Sequence, residues 1–156
     1  MSVDFQEKMT RALSLGMLKL GRDQGEAQYS HFCELLNKAA PTLLQDGVSL
    51  EWSAGPGDDV FILQTPVGRI LAKRISFLDD DTVGVAIVFY TMNSTREERD
   101  LTCLRLSSNG AWKLPGDLQV TDRFGRHTPE SAIRAVQAAM HAKLLSDHSR
   151  ATSTGL

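Results

Sequence analysis

Five aspartates fall in two short turns of this 156-residue chain: Asp58 and Asp59 after Gly55-Pro56-Gly57, and Asp79, Asp80 and Asp81 in an unbroken run. Carboxylate oxygens are hard ligands, so acids from two loops can hold Ca²⁺ or Mg²⁺, and they can equally attract a basic partner. Aspartates also serve turns without any function, because they hydrogen-bond their own backbone and stay hydrated. The chain has no EF-hand spacing and no glycine at a ligand-loop position, so no metal or cofactor is expected. The turn acids remain candidates for contact with a partner.

The other chemistry-bearing residues are less grouped. His141 and His148 stand seven apart, whereas paired zinc ligands on a helix more often sit at i and i+4, and no HExxH is present. His127 directly precedes Thr128 and reads as a loop residue. His31 and Cys33 are two apart, so on a helix they point to different faces and form no nucleophile pair. There is no GxSxG elbow and no Walker A sequence, and Gly55-x-Gly57 lacks both the third glycine and the following helix of a dinucleotide site. Trp52 and Trp112 stand at strand ends, where they frame a pocket or partner surface, or else rim the core with the indole N–H turned to water or backbone. Arg69, Lys73 and Arg74 with Arg105 suggest a cationic band. Arg123, Arg126 and Arg134 gather near the last helix, but the interleaved aromatics of single-strand binders are missing.

Any such residue must be carried by a regular element, and the periodicities define these. Residues 4–20 read as an amphipathic helix through Phe5, Met9, Leu13, Met17 and Leu20, and Gly21 and Gly25 are expected to end it. A second helix carries Tyr29, Phe32, Leu36, Ala39 and Leu43, and is expected to end near Ala40 or kink at Pro41. The period then turns to alternation, with strands expected at Val48–Ser53, Asp59–Thr65, Gly68–Leu78, Thr82–Thr91, Leu101–Ser107 and Ala111–Leu114. Their connectors are too short for crossover helices, so the strands form an antiparallel meander. Asn109-Gly110 is the strongest turn among them. In a meander the first and third turns share an end, which would bring the five aspartates to one rim. Met92 to Asp100, rich in charge, reads as a loop. Val83, Val85, Ile87 and Phe89 line one side of the fourth strand, and Ala86, Val88 and Tyr90 the other. A strand apolar on both sides is central, and one layer of helices leaves a face for a second layer or a dimer partner. Thr128-Pro129-Glu130 opens a last helix, with Ile133, Val136, Met140 and Leu144 along one stripe.

Composition sets the outer bounds. Hydrophobic residues are 42% and charged residues 23%, as in a single globular domain. The formal net charge of −2 argues against nucleic acid as a partner. It is a cancellation: residues 45–81 hold seven acids against three bases, and residues 122–156 five bases against three acids. Two cysteines, Cys33 and Cys103, without CxxC spacing, read as small buried hydrophobes. The first residues carry acids too early for a secretory signal, and the longest apolar run, Val83 to Tyr90, is far short of the ~20 residues that span a bilayer.

The resulting expectation is an α+β domain over residues 1–146 with a flexible tail at 147–156. It has two N-terminal helices, a five- or six-stranded antiparallel meander and a C-terminal helix packed on the sheet. The function expected is a non-enzymatic, cytoplasmic protein-interaction module of adaptor, chaperone or immunity type, working through a sheet face or helix, with a homodimer in view. The alternative is a small-ligand or divalent-metal enzyme using the rim of Asp58, Asp59, Asp79, Asp80 and Asp81. No membrane partner is expected.

Overall fold

In the computed structural model the described residues are 4, 6–7, 15–53, 60–79, 82–107, 110–122 and 124–153; for 15–18, 78–79, 82 and 150–153 only the backbone is described. Helix α1 spans Leu15–Gln45, and seven strands follow: β1 (Ser49–Trp52), β2 (Val60–Thr65), β3 (Gly68–Asp79), β4 (Thr82–Met92), β5 (Glu98–Leu106), β6 (Trp112–Leu114) and β7 (Leu118–Gln119). Helix α2, Pro129–Ser153, closes the order. The strands lie in sequence order in one antiparallel sheet, so the architecture is α+β with the expected meander.

Two expectations are corrected. The N-terminal region is one continuous helix from Leu15 to Gln45, not two helices divided at Gly21 and Gly25. Of the first expected helix, residues 5 and 8–14 lie outside the described residues, while 4, 6 and 7 are helical. The reason for the continuity is visible in the burial pattern, where Gly21, Gly25, Tyr29, Phe32, Leu36, Ala39 and Leu43 form one buried stripe at helical spacing. Gly25 is part of the stripe because the helix passes very close to the sheet there. A Cβ on Gly25 would lie 2.6 Å from Val85 Cγ2 of β4. Tertiary burial outweighs the helix-propensity cost of glycine, about 1 kcal/mol. Pro41 lies inside the helix on its exposed side, where the Asn37 carbonyl that loses its donor can turn to water. The helix ends instead at a Schellman turn. Gly47 has a φ of 81°, its N–H bonds the Leu44 carbonyl at 3.1 Å, and the Val48 N–H reaches back to Leu43 at 2.9 Å.

The second correction is the strand count, seven rather than five or six. Strand β7 is two exposed residues paired with β6 after the turn at Pro115-Gly116-Asp117, too short to show alternation. Strand β5 also begins at Glu98, inside the stretch read as a loop. A bulge opposite Phe89/Tyr90 lets Leu101 slip out of register, which interrupts the alternation at that point.

Both helices lie on one face of the sheet, α1 across β4 and α2 against β5 and α1. That face holds the core: Phe61, Leu63, Ile70, Ala72, Val85, Ile87, Phe89, Leu104, Leu106 and Trp112 from the strands meet Phe32 and Leu36 of α1 and Ala132, Val136 and Ala139 of α2. Helix α2 starts as the sequence indicates. Ser131 Oγ accepts the Thr128 N–H at 3.1 Å while the Ser131 N–H bonds the Thr128 carbonyl, and Pro129 supplies the first turn without needing a donor. The helix runs to Ser153, past the expected tail boundary, with Leu144 and Leu145 about half exposed. No helix among the described residues is long and apolar enough to cross a membrane.

Gly25→Ala is expected to destabilise the fold by about 1–3 kcal/mol, because Val85 is buried and stiff at χ1, even though alanine is the better helix former. Urea unfolding measures this, and Val85→Ala in the same chain should return part of the loss, giving a non-zero coupling in the double-mutant cycle.

Candidate functional site

The structure leaves one side of the sheet without a helix among the described residues, and the register shows which side chains stand on it. Along β4 these are Ala86, Val88, Tyr90 and Met92. From β3 come Leu71, Lys73, Ile75 and Phe77, from β5 Glu98, Asp100, Cys103 and Arg105, and from β6 Lys113. Ala86, Val88 and Tyr90 are 4–8% exposed although no described helix is layered over them. Among the described residues, neighbouring side chains reach over them. Lys73 lies over the Tyr90 ring, its Nζ 4.8 Å from the centroid, and reaches across β4 to the Glu98 carboxylate. That hydrogen bond to Glu98 holds the Lys73 pKa above its usual value. Nearby, Arg105 reaches over the small residues of β4 and sets its guanidinium 5.3 Å from the Phe77 ring centroid. Ile75 and Met92 stay 40% and 47% exposed.

The cationic band expected from Arg69, Lys73, Arg74 and Arg105 is divided between the two faces. Arg74 turns to the helix side and stacks on Tyr29 of α1 at 5.0 Å, while Lys73 and Arg105 stand on the open side. Cys103 also stands there, half-buried, whereas Cys33 is in the core. The aspartates Asp58, Asp59, Asp80 and Asp81 lie outside the described residues, and of Asp79 the structure describes only the backbone at the end of β3. The register does show that the roots of their two turns are staggered. Val60 pairs with Lys73, so β3 continues six residues past the start of β2, about 20 Å at ~3.3 Å per residue. Among the described residues no group of three or more His, Cys, Asp or Glu side chains is placed to hold a metal ion.

Trp52 and Trp112 both stand on the helix side. Trp52 is half-buried against Phe61 and donates its indole N–H to Asn37 Oδ1 at 3.3 Å. Trp112 has no exposed surface and donates to Gln28 Oε1 at 2.7 Å. Each indole is thus satisfied by a side-chain amide of α1 rather than by water or backbone. His127 stacks on Trp112, with centroids 3.7 Å apart and planes 16° from parallel, and His31 meets both rings edge-on. His127 Nε2 bonds the Gly110 carbonyl at 2.5 Å, which makes it the donor, while the buried Nδ1 has no partner among the described residues. A neutral imidazole tolerates that, since Nδ1 then carries only a lone pair. A proton there would be a buried donor without an acceptor. Burial therefore pushes the His127 pKa down, the Gly110 carbonyl opposes this, and nearby His31 adds to the lowering. No spacing in the sequence signals this cluster, because residues 31, 112 and 127 are joined only by the fold.

A third feature is the loop after β7. Asp122 accepts the backbone N–H groups of Phe124 and Arg126, both at 2.9 Å, and pairs with the Arg126 side chain at 3.0 Å. These bonds, the Arg126 N–H first, lower the Asp122 pKa. They shape a loop that holds Phe124 66% exposed with the Arg126 guanidinium over its ring.

The described residues define an α+β protein whose two described helices share one face of an antiparallel sheet. The chain matches no protein-family model, and comparison with curated proteins and with solved structures finds no match either.

The His127 geometry has a pH consequence whose sign follows from the lowered pKa. Above its unfolded value of about 6.5, both states are neutral and stability is complete. As pH falls through 6.5 the unfolded chain takes up the proton first, and stability declines until the folded imidazole is protonated too. Urea midpoints measured between about pH 8 and pH 5 should show this decline, and His127→Gln should flatten it.

Proposed function

We propose that this chain is a non-enzymatic protein-interaction module that works through the open face of its sheet, and that its partner there is a second copy of the chain. The observation that carries the reading is a central strand, β4, that is apolar on both sides while described helices cover only one. The charge on the open face favours self-association over a strongly charged partner. Among the described residues it holds Arg69, Lys73, Arg105 and Lys113 against Glu51, Glu98 and Asp100, a near balance that repels no identical surface. Size supports it too. Strands β2 to β6 hold 41 residues in all, which at ~4.8 Å spacing and ~3.3 Å per residue make a face on the order of 650 Å². A standard interface takes about 800 Å² from each partner. Sheets packed face to face at about −30° would interdigitate Ile75 and Met92 with the same residues of the other copy.

Size-exclusion chromatography with light scattering tests this. The expected result is twice the 17.2 kDa chain mass at micromolar concentration. Ile75→Glu together with Met92→Glu should give a monomer with an unchanged circular dichroism spectrum, since both side chains are already largely exposed. A wild-type monomer at that concentration would overturn the reading.

A further inference from the structure

Strands β5 and β6 place Arg105 and Lys113 directly opposite one another on the open face. Side chains so paired have Cβ atoms about 4.5–5.5 Å apart, and like charges there destabilise the sheet. Elsewhere on the same face a cation is neutralised, as Lys73 is by Glu98. Among the described residues neither Arg105 nor Lys113 has a carboxylate within ion-pair distance. The Arg105 guanidinium sits 5.3 Å from the Phe77 ring centroid, and no acceptor for its N–H groups is found among the described residues. Two opposed, unneutralised cations are a cost that the fold does not need, since a glutamine at either position would keep the pairing.

These two residues line a cleft of about 390 Å³ together with Phe77, Leu114 and Pro115. The β6–β7 turn closes one end, with Gly116 and Asp117 both at positive φ, 81° and 58°. Asp117 reaches neither cation within ion-pair distance. The volume is that of a small-ligand site. We propose that the cleft binds a small organic anion free in solution. Its oxyanion group, carboxylate or phosphate, sits between Arg105 and Lys113, and its flat apolar body lies against Phe77 and Pro115. The anion turns a repelling pair into a clamp, with Arg105 supplying a planar fork and Lys113 a mobile point charge. The site involves no covalent step, and it lies at the β5–β6 end of the face proposed above to meet a second copy, so its test is read on the Ile75→Glu, Met92→Glu variant as well as on the wild type.

Titration of ¹⁵N-labelled protein with benzoate, phenyl phosphate, inorganic phosphate and benzylamine tests it. At least one of the two aromatic anions is expected to shift the amide signals of Arg105, Lys113 and Gly116 saturably in the millimolar range, with benzylamine silent and inorganic phosphate weaker than phenyl phosphate. Arg105→Gln and Lys113→Gln should each weaken that binding by about tenfold. Each also removes a like-charge repulsion, so each should melt at or above the wild-type temperature. Several results would overturn the site: no saturable shift with either aromatic anion, an equal response to benzylamine, or unchanged affinity in both glutamine variants. A lower melting temperature in both variants would make the pair structural and overturn it as well. Inorganic phosphate binding as tightly as phenyl phosphate would remove the apolar half of the proposal.

Discussion

Helix α1 runs so close to strand β4 that a Val85 methyl lies where the first side-chain carbon of Gly25 would need room, 2.6 Å away. Much of the rest follows from that approach. It lets Tyr29 receive Arg74 from β3, carries Phe32 to Trp112, and puts Gln28 and Asn37 within reach of the two indoles. Helix α2 then packs beside α1 on the same face. Its buried residues against the core are mostly small, Ala132, Ala135 and Ala139 with Val136, which suits two helices sharing one layer. A 31-residue helix with two glycines in its buried stripe has weak intrinsic propensity there, so its stability rests on packing.

With both described helices on one side, the cover described on the other side comes from the sheet's own side chains. Long cations do this through their aliphatic stems, Lys73 across Tyr90 and Arg105 toward Phe77, keeping water from the backbone of β4 while their charged ends remain wet. The device is also how exposed sheets resist uncontrolled pairing. It is incomplete at Ile75 and Met92, which remain open, and at Arg105 and Lys113, where the two charges face each other. The first departure fits a surface that meets another. The second fits a surface that holds an anion.

Much of the sheet was legible residue by residue. Alternation placed β1 to β4 within a few residues of their observed bounds, and Pro66-Val67, Asn109-Gly110 and the short connectors implied the meander. Thr128-Pro129 marked the start of α2. The misses have specific physical causes. Glycine reads as a helix breaker unless the approaching strand is known, so the run from Leu15 through Gly21 and Gly25 looked divided. The bulge at Leu101 hides the alternation of β5, and β7 is too short to have any. Of the candidate sites, the identity of the open-face residues was present in the two-sided pattern of β4. The pairing of Arg105 with Lys113 was not, because register across a turn is not carried by either strand alone.

The sequence by itself determined the class of fold, the order of strands and the presence of a central strand that needs cover on both sides. Periodicity and turn chemistry are local, so they survive in a single chain read end to end. Only the tertiary structure decided which face the helices take, that one helix rather than two crosses it, and that Gln28, His31, Trp112 and His127 meet. Those outcomes depend on contacts between residues as many as 96 positions apart, and local propensity holds no record of them.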